Sequence, residues 1–62
     1  MPLAQITLFA GRTEEMRGEL IRRVTDTIVE VLHCPREAVT VVLQEIPKTN
    51  WGEAGVPASK KS

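Results

Sequence analysis

Few residues of this 62-residue chain are suited to chemistry, and the first of them is Pro2. Removal of Met1 ahead of so small a residue is expected, and it exposes a secondary amine as the true N-terminus. That amine works as a base near neutral pH only if it is largely unprotonated, which an apolar pocket or a nearby cation favours by lowering its pKa. Phe9, Trp51 and Arg12 are the residues able to supply those surroundings. A Met-Pro start is also simply tolerated, so position alone does not select the catalytic role. Arg12 follows a Gly and precedes Thr13-Glu14-Glu15, the start of a helix, where fixed N–H dipoles favour anions. A guanidinium there can hold a carboxylate bidentately; the plain alternative is a solvated loop arginine. Arg36 and Lys48 are weaker candidates.

The single histidine and single cysteine, His33 and Cys34, are adjacent. Neighbouring residues on a helix point in different directions, and the negative end of the helix dipole disfavours a thiolate, so no Cys-His nucleophile is expected. His33 reads as a favourable residue at the end of a helix and Cys34 as a small, partly buried one. Glu14, Glu15 and Glu37 read as cap or surface charges. Glu45 has no evident partner, and no acid pair is identifiable. Trp51, the only tryptophan, is suited to a pocket wall or a subunit anchor.

The elements that position these residues follow from periodicity. Leu3 to Phe9 alternates, with Ala4, Ile6 and Leu8 on one face and Leu3, Gln5, Thr7 and Phe9 on the other, which predicts a strand. Ala10-Gly11-Arg12 breaks the pattern, and Thr13 caps a helix whose apolar stripe is Met16, Leu20, Ile21, Val24, Ile28, Val31 and Leu32. Pro35 disfavours the helical conformation of Cys34 and ends the helix near His33. Val39 to Ile46 predicts a second strand, closed by Pro47. The result is an α+β chain: a single βαβ unit with parallel strands. Gly52, Gly55 and Pro57 around Trp51 add a short C-terminal hairpin, and from about residue 57 a loose polar tail is expected to end this single domain of residues 1–62.

Length and charge bound the rest. A domain this small buries only about 60% of the surface its unfolded chain exposes, so its own core is marginal. One cysteine and one histidine provide neither a disulfide nor a structural metal site, and oligomerisation is the remaining support. Eight Lys plus Arg balance eight Asp plus Glu, which argues against a nucleic-acid footprint or an electrostatic membrane patch. No apolar run approaches the roughly 18 residues of a membrane span, and no signal-peptide pattern opens the chain, so a reduced, cytoplasmic setting is expected.

Taken together, Pro2-Leu3-Ala4-Gln5-Ile6, Leu8, Gly11-Arg12-Thr13-Glu14-Glu15, Leu20-Ile21-Arg22, the Pro35 break, Glu45 in the second strand and Ala58-Ser59-Lys60 resemble the 4-oxalocrotonate tautomerase family. The resemblance covers the chain from Pro2 to about Lys60. It implies a homo-oligomer in which two βαβ protomers share a four-stranded sheet, typically as a hexamer of three dimers. It also implies a tautomerase of small enol or keto acids, without cofactor or metal, in a setting of aromatic-compound catabolism. Pro2 is then the general base and acid, Arg12 of a neighbouring subunit binds a substrate carboxylate, and Trp51 stands where the family usually has phenylalanine. Phe9 and Thr40 complete the implied site.

Thr40 is the departure, for the family's archetype has an arginine there that polarises the substrate carbonyl and binds the adjacent carboxylate. A hydroxyl donates one hydrogen bond and adds no charge. Arg36 is about 13 Å away along an extended chain and is no obvious substitute. A smaller enol acid than the archetypal dienol dicarboxylate is therefore expected. Two other readings stay open: a hydratase, dehalogenase or enamine-type relative using the same amine, and a non-catalytic oligomeric binding module of the same fold.

Overall fold

The alternation at the start of the chain becomes strand β1, Leu3–Phe9, and the second β-rich run becomes β2, Thr40–Ile46. In the computed structural model, which describes residues 2–60, the two pair in parallel from Leu3 with Thr40 to Phe9 with Ile46. Ala4, Ile6 and Leu8 of β1 and Val41, Leu43 and Glu45 of β2 are the less exposed set, and helix α1, Glu14–Leu32, crosses between the strands to pack against β2. The opposite sheet face carries Leu3, Gln5, Thr7, Thr40, Val42 and Gln44, all exposed, with Thr7 donating to Gln44 Oε1 at 3.1 Å.

Local chemistry sets the helix ends. Gly11 turns the chain out of β1 at φ 122°, a conformation side chains resist. Thr13 Oγ1 then accepts from the Met16 N–H at 3.1 Å, the cap expected from sequence. At the other end His33 is left-handed, at φ 56°, and its N–H donates to the Val29 carbonyl at 2.9 Å. Its role is thus to close the helix by backbone geometry, a position more often given to glycine or asparagine. The second strand begins one residue later than expected, because the Val39 N–H is taken by the Arg36 carbonyl at 3.1 Å, closing a single 3-10 turn over Arg36–Ala38.

After Pro47 a 3-10 turn, Lys48–Asn50, leads to Trp51 and a two-rung antiparallel hairpin of β3, Gly52–Glu53, and β4, Val56–Pro57. The expected loose tail is corrected at its start: Pro57 belongs to β4, and Ala58–Lys60 form another 3-10 turn. The hairpin returns Ala58 to Trp51, whose carbonyl accepts the Ala58 N–H at 2.6 Å. The remainder of that expected tail, and Met1 with its expected removal, lie outside the described residues.

The helix and sheet make one thin sandwich. Its extents are 43 × 24 × 14 Å, and its radius of gyration is 14.7 Å, where a compact chain of this length would have about 10–11 Å. Among the described residues no side chain reaches the buried class, and Leu3, Met16, Val31 and Leu32 are each more than half exposed.

Candidate active site

The residues singled out from sequence fall into two groups at opposite ends of the sheet. Pro2 immediately precedes β1, and its carbonyl accepts the N–H of Thr40, the first residue of β2, at 3.0 Å. Pro2 is half-buried and Thr40 exposed. At the far end Phe9 closes β1, and Trp51 meets it edge to face, with ring centroids 4.6 Å apart at 63°. Such aromatic pairs favour this geometry because the positive edge of one ring meets the negative face of the other. Arg12 curls back so that Nη1 donates to the Phe9 carbonyl at a long 3.4 Å. One strand length, about 20 Å at some 3.3 Å per residue, separates the amine end from the aromatic and guanidinium end. A single chain therefore brings Phe9, Trp51 and Arg12 together, and Pro2 with Thr40, and does not join the two groups.

Electrostatics distinguish Arg12 from the other four arginines of the chain. Arg17 donates to Glu45 at 2.6 Å, Arg22 and Arg23 converge on Glu19 at 2.6 Å each, and Arg36 reaches Asp26 at 2.5 Å. Among the described residues no carboxylate lies within ion-pair distance of Arg12 or Lys48. The Arg36 guanidinium is thereby directed to the helix and not to Thr40. The expectation that Glu45 has no partner is corrected by Arg17. Glu45 falls on the helix-facing side of β2, and a carboxylate on a covered face needs a partner, so the strand alternation already contained that signal.

Sequence reasoning also undervalued Lys48. Its ammonium sits 5.5 Å from the centroid of the Phe9 ring, within cation–π range. Nothing in the local pattern announces this, because the contact depends on how the turn after β2 folds over the end of β1. Two surface grooves open elsewhere: one of about 420 Å³ is lined by Glu14, Arg17, Gly18, Ile21, Leu43 and Glu45, and the other runs along Met16 and Leu20 of the helix. Neither includes Pro2, Arg12 or Trp51. Among the described residues no cluster of three or more His, Cys, Asp or Glu could hold a metal, and no helix is long and apolar enough to cross a membrane.

A thin βαβ layer with its second residue a proline and an arginine at the turn into the helix is matched over residues 2–61 by the family model described as tautomerase enzyme. A probable tautomerase of Ralstonia nicotianae is 51% identical over 59 residues, covering 95% of this chain and 84% of that one. A 2-hydroxymuconate tautomerase of Pseudomonas putida is 45% identical over 60 residues, covering 97% and 95%. Among solved structures, the heterohexamer 4-oxalocrotonate tautomerase of Chloroflexus aurantiacus superposes with a TM-score of 0.89 at 30% identity, covering 97% of each chain. The chain belongs to the tautomerase family and is by class an isomerase.

Proposed function

We propose that the chain interconverts the enol and keto forms of a small enol acid, such as a 2-hydroxydienoate, in a cytoplasmic homo-oligomer whose subunits complete one another's sites. The observation that carries this reading is the division of the candidate residues between the two ends of one parallel sheet. A second chain laid antiparallel along the first would set its Arg12, Phe9 and Trp51 near the first chain's Pro2 while extending the sheet to four strands. Three such dimers make the hexamer that the resemblance implies, and the chain's relative from Chloroflexus is itself a heterohexamer.

Arg12 would hold the substrate carboxylate by paired, charge-assisted hydrogen bonds. The Pro2 nitrogen, freed of Met1, would take the proton of the enol hydroxyl. As the O–H electrons become the carbonyl bond, the displaced π pair would move along the chain to a carbon. That carbon would receive the proton back from the pyrrolidinium. Phe9 and Trp51 would keep water from the amine, and desolvation together with the neighbouring cation would disfavour its charged form before substrate arrives. Thr40, held beside Pro2 by its own N–H, would offer a hydroxyl to the substrate oxygen.

The test is ketonisation of phenylenolpyruvate and of a 2-hydroxydienoate. Pro2→Ala should lower kcat/KM by about 10²- to 10⁴-fold, the usual contribution of a positioned base; equal rates would remove Pro2 from the mechanism. Intact mass must first show that Met1 is absent, since a retained methionine turns the nitrogen into an amide. Binding of enol acids without turnover, despite a free Pro2, would instead establish a non-catalytic module.

A further inference from the structure

The Arg12 guanidinium is poorly held by its own contacts. It is exposed, and its bond to the Phe9 carbonyl is long at 3.4 Å. Gly11 before it, at φ 122° with open space where a Cβ would stand, gives the turn its path but no stiffness, because glycine is the least restricted of residues. Where Arg12 points is therefore set by what ties the backbone on its two sides.

One tie continues the sheet: the Ala10 N–H donates to the Ile46 carbonyl at 2.9 Å. The other runs through Arg17. Its backbone N–H and its Nε both donate to the Thr13 carbonyl, at 3.1 and 3.4 Å, and its Nη1 donates to Glu45 Oε1 at 2.6 Å. Glu45 stands opposite Leu8 in the register, one residue before Ile46, so both ends of the segment carrying Arg12 are fastened to adjacent residues of β2. No apolar side chain does this for the start of α1: Glu14, Glu15, Met16 and Gly18 are exposed, and Arg17 is the first helical residue to be half-buried. The pair is also the most sheltered among the described residues. Its side chains are 36% and 24% exposed, where every other paired side chain is at least 43% exposed. Water screens it less than it screens the other pairs, so charge can hold geometry there.

We propose that Arg17 and Glu45 are positioning residues for Arg12: their ion pair locks the turn between β1 and α1 to the end of β2 and so aims the Arg12 guanidinium at a carboxylate of the ligand. The inference rests on the tautomerase reading for the role of Arg12. Neither residue of the pair touches the ligand, so breaking the pair loosens the grip on the carboxylate and leaves proton transfer at Pro2 as it was. In the proposed assembly the effect is felt in the neighbouring subunit's site, because that is where Arg12 reaches.

The experiment measures ketonisation of a 2-hydroxydienoate by wild type, Arg17→Met, Arg17→Lys and Glu45→Gln, each also combined with Arg12→Ala, with light scattering to show that every variant assembles. Arg17→Met and Glu45→Gln should each raise KM about tenfold, less than the roughly 10²-fold that a misplacement of about 1 Å can cost. Their kcat should stay within about twofold of wild type, the pattern of lost uniform binding. Arg17→Lys, which keeps the charge, should recover KM to within about threefold. On the Arg12→Ala background neither Arg17→Met nor Glu45→Gln should lower kcat/KM by more than about a further twofold, since a group that acts only through Arg12 has nothing left to act on. Arg23→Met breaks an ion pair of the same 2.6 Å length elsewhere on α1 and should change neither constant. Glu45→Gln leaves the strand's packing intact and carries the comparison if Arg17→Met does not assemble. An unchanged KM in Arg17→Met and Glu45→Gln, a fall in kcat alone, or an equal loss of kcat/KM with and without Arg12 would each overturn the proposal. The same comparison read as calorimetric binding of sorbate, a dienoate without the enol hydroxyl, needs no turnover. A wild type that binds sorbate through Arg12 without ketonising a 2-hydroxydienoate would remove the tautomerase reading and leave the coupling of Arg17 to Arg12 measurable; an active enzyme without that coupling would remove only the positioning pair.

Discussion

Glu19 illustrates how single side chains keep order on the exposed face of α1. Its carboxylate accepts from Arg22 Nη2 and Arg23 Nε, and Arg22 continues to Asp26, which in turn receives Arg36 from beyond the helix. The hydrogen bond from Arg22, then that from Arg23, holds the Glu19 carboxyl below its ordinary value of 4.5, and the same contact raises Arg22 above its own. A carboxyl with a depressed pKa in the folded state contributes stability that is fully present above its unfolded value and is lost as the pH falls through the folded one. Urea unfolding followed from about pH 6 down to about pH 3 should therefore show an acid loss of stability that is shallower in Glu19→Gln than in wild type. The i,i+4 link of Arg22 to Asp26 was legible from spacing, as was Thr13 as a cap. The pairing of Arg17 with Glu45 spans helix and strand, and the contact of Lys48 with Phe9 joins residues 39 positions apart in sequence. Such contacts are set by packing, which periodicity does not encode.

Elements were legible where one periodicity ran for several residues. β1 has the expected residues on its covered face, because alternation buries one side only; of the apolar stripe expected on α1, Leu20, Val24 and Ile28 are half-buried against the sheet, while Met16, Ile21, Val31 and Leu32 are exposed, since a two-stranded sheet is too narrow to cover the whole stripe. The C-terminal region was harder, since β3 and β4 are two residues each and depend on their turn. Ala54 and Gly55 both have positive φ, 54° and 80°, as a two-residue type I′ turn requires. Gly55 meets that requirement freely, but Ala54 carries a Cβ into the left-handed region, where asparagine is better tolerated. Ala54→Asn should stabilise the folded protein by about 0.5 kcal/mol, read as a higher urea midpoint with unchanged m-value. A lower midpoint would show that the methyl group of Ala54 has a packing role in the assembly.

At the scale of the whole molecule, shortage of chain is the governing fact. One helix can cover one face of a two-stranded sheet, and here that leaves an accessible surface of 4779 Å², against about 4,000 Å² for a folded monomer of this mass. The exposed apolar side chains lie on both sides of the layer, Leu3 and Val42 on the open sheet face and Met16, Val31 and Leu32 on the helix. Stability of the fold should consequently depend on protein concentration: the melting temperature should rise with each tenfold increase, and light scattering should detect no folded monomer at micromolar concentration. A concentration-independent melt of a monomer would contradict this. The need for other chains was readable from length and from one cysteine and one histidine; the surfaces left for them became visible only once the helix had been placed.

The strand-length gap between Pro2 and Arg12 also bears on how such a protein tolerates change. In the proposed assembly each chain donates its amine to one site and its guanidinium to another. A lesion at either end of β1 in one subunit would then silence a site whose remaining parts are intact and belong to a different molecule. A copy damaged at one end only would silence sites in proportion to its share of the subunits, and two copies damaged at opposite ends, each inactive alone, would together regenerate intact sites.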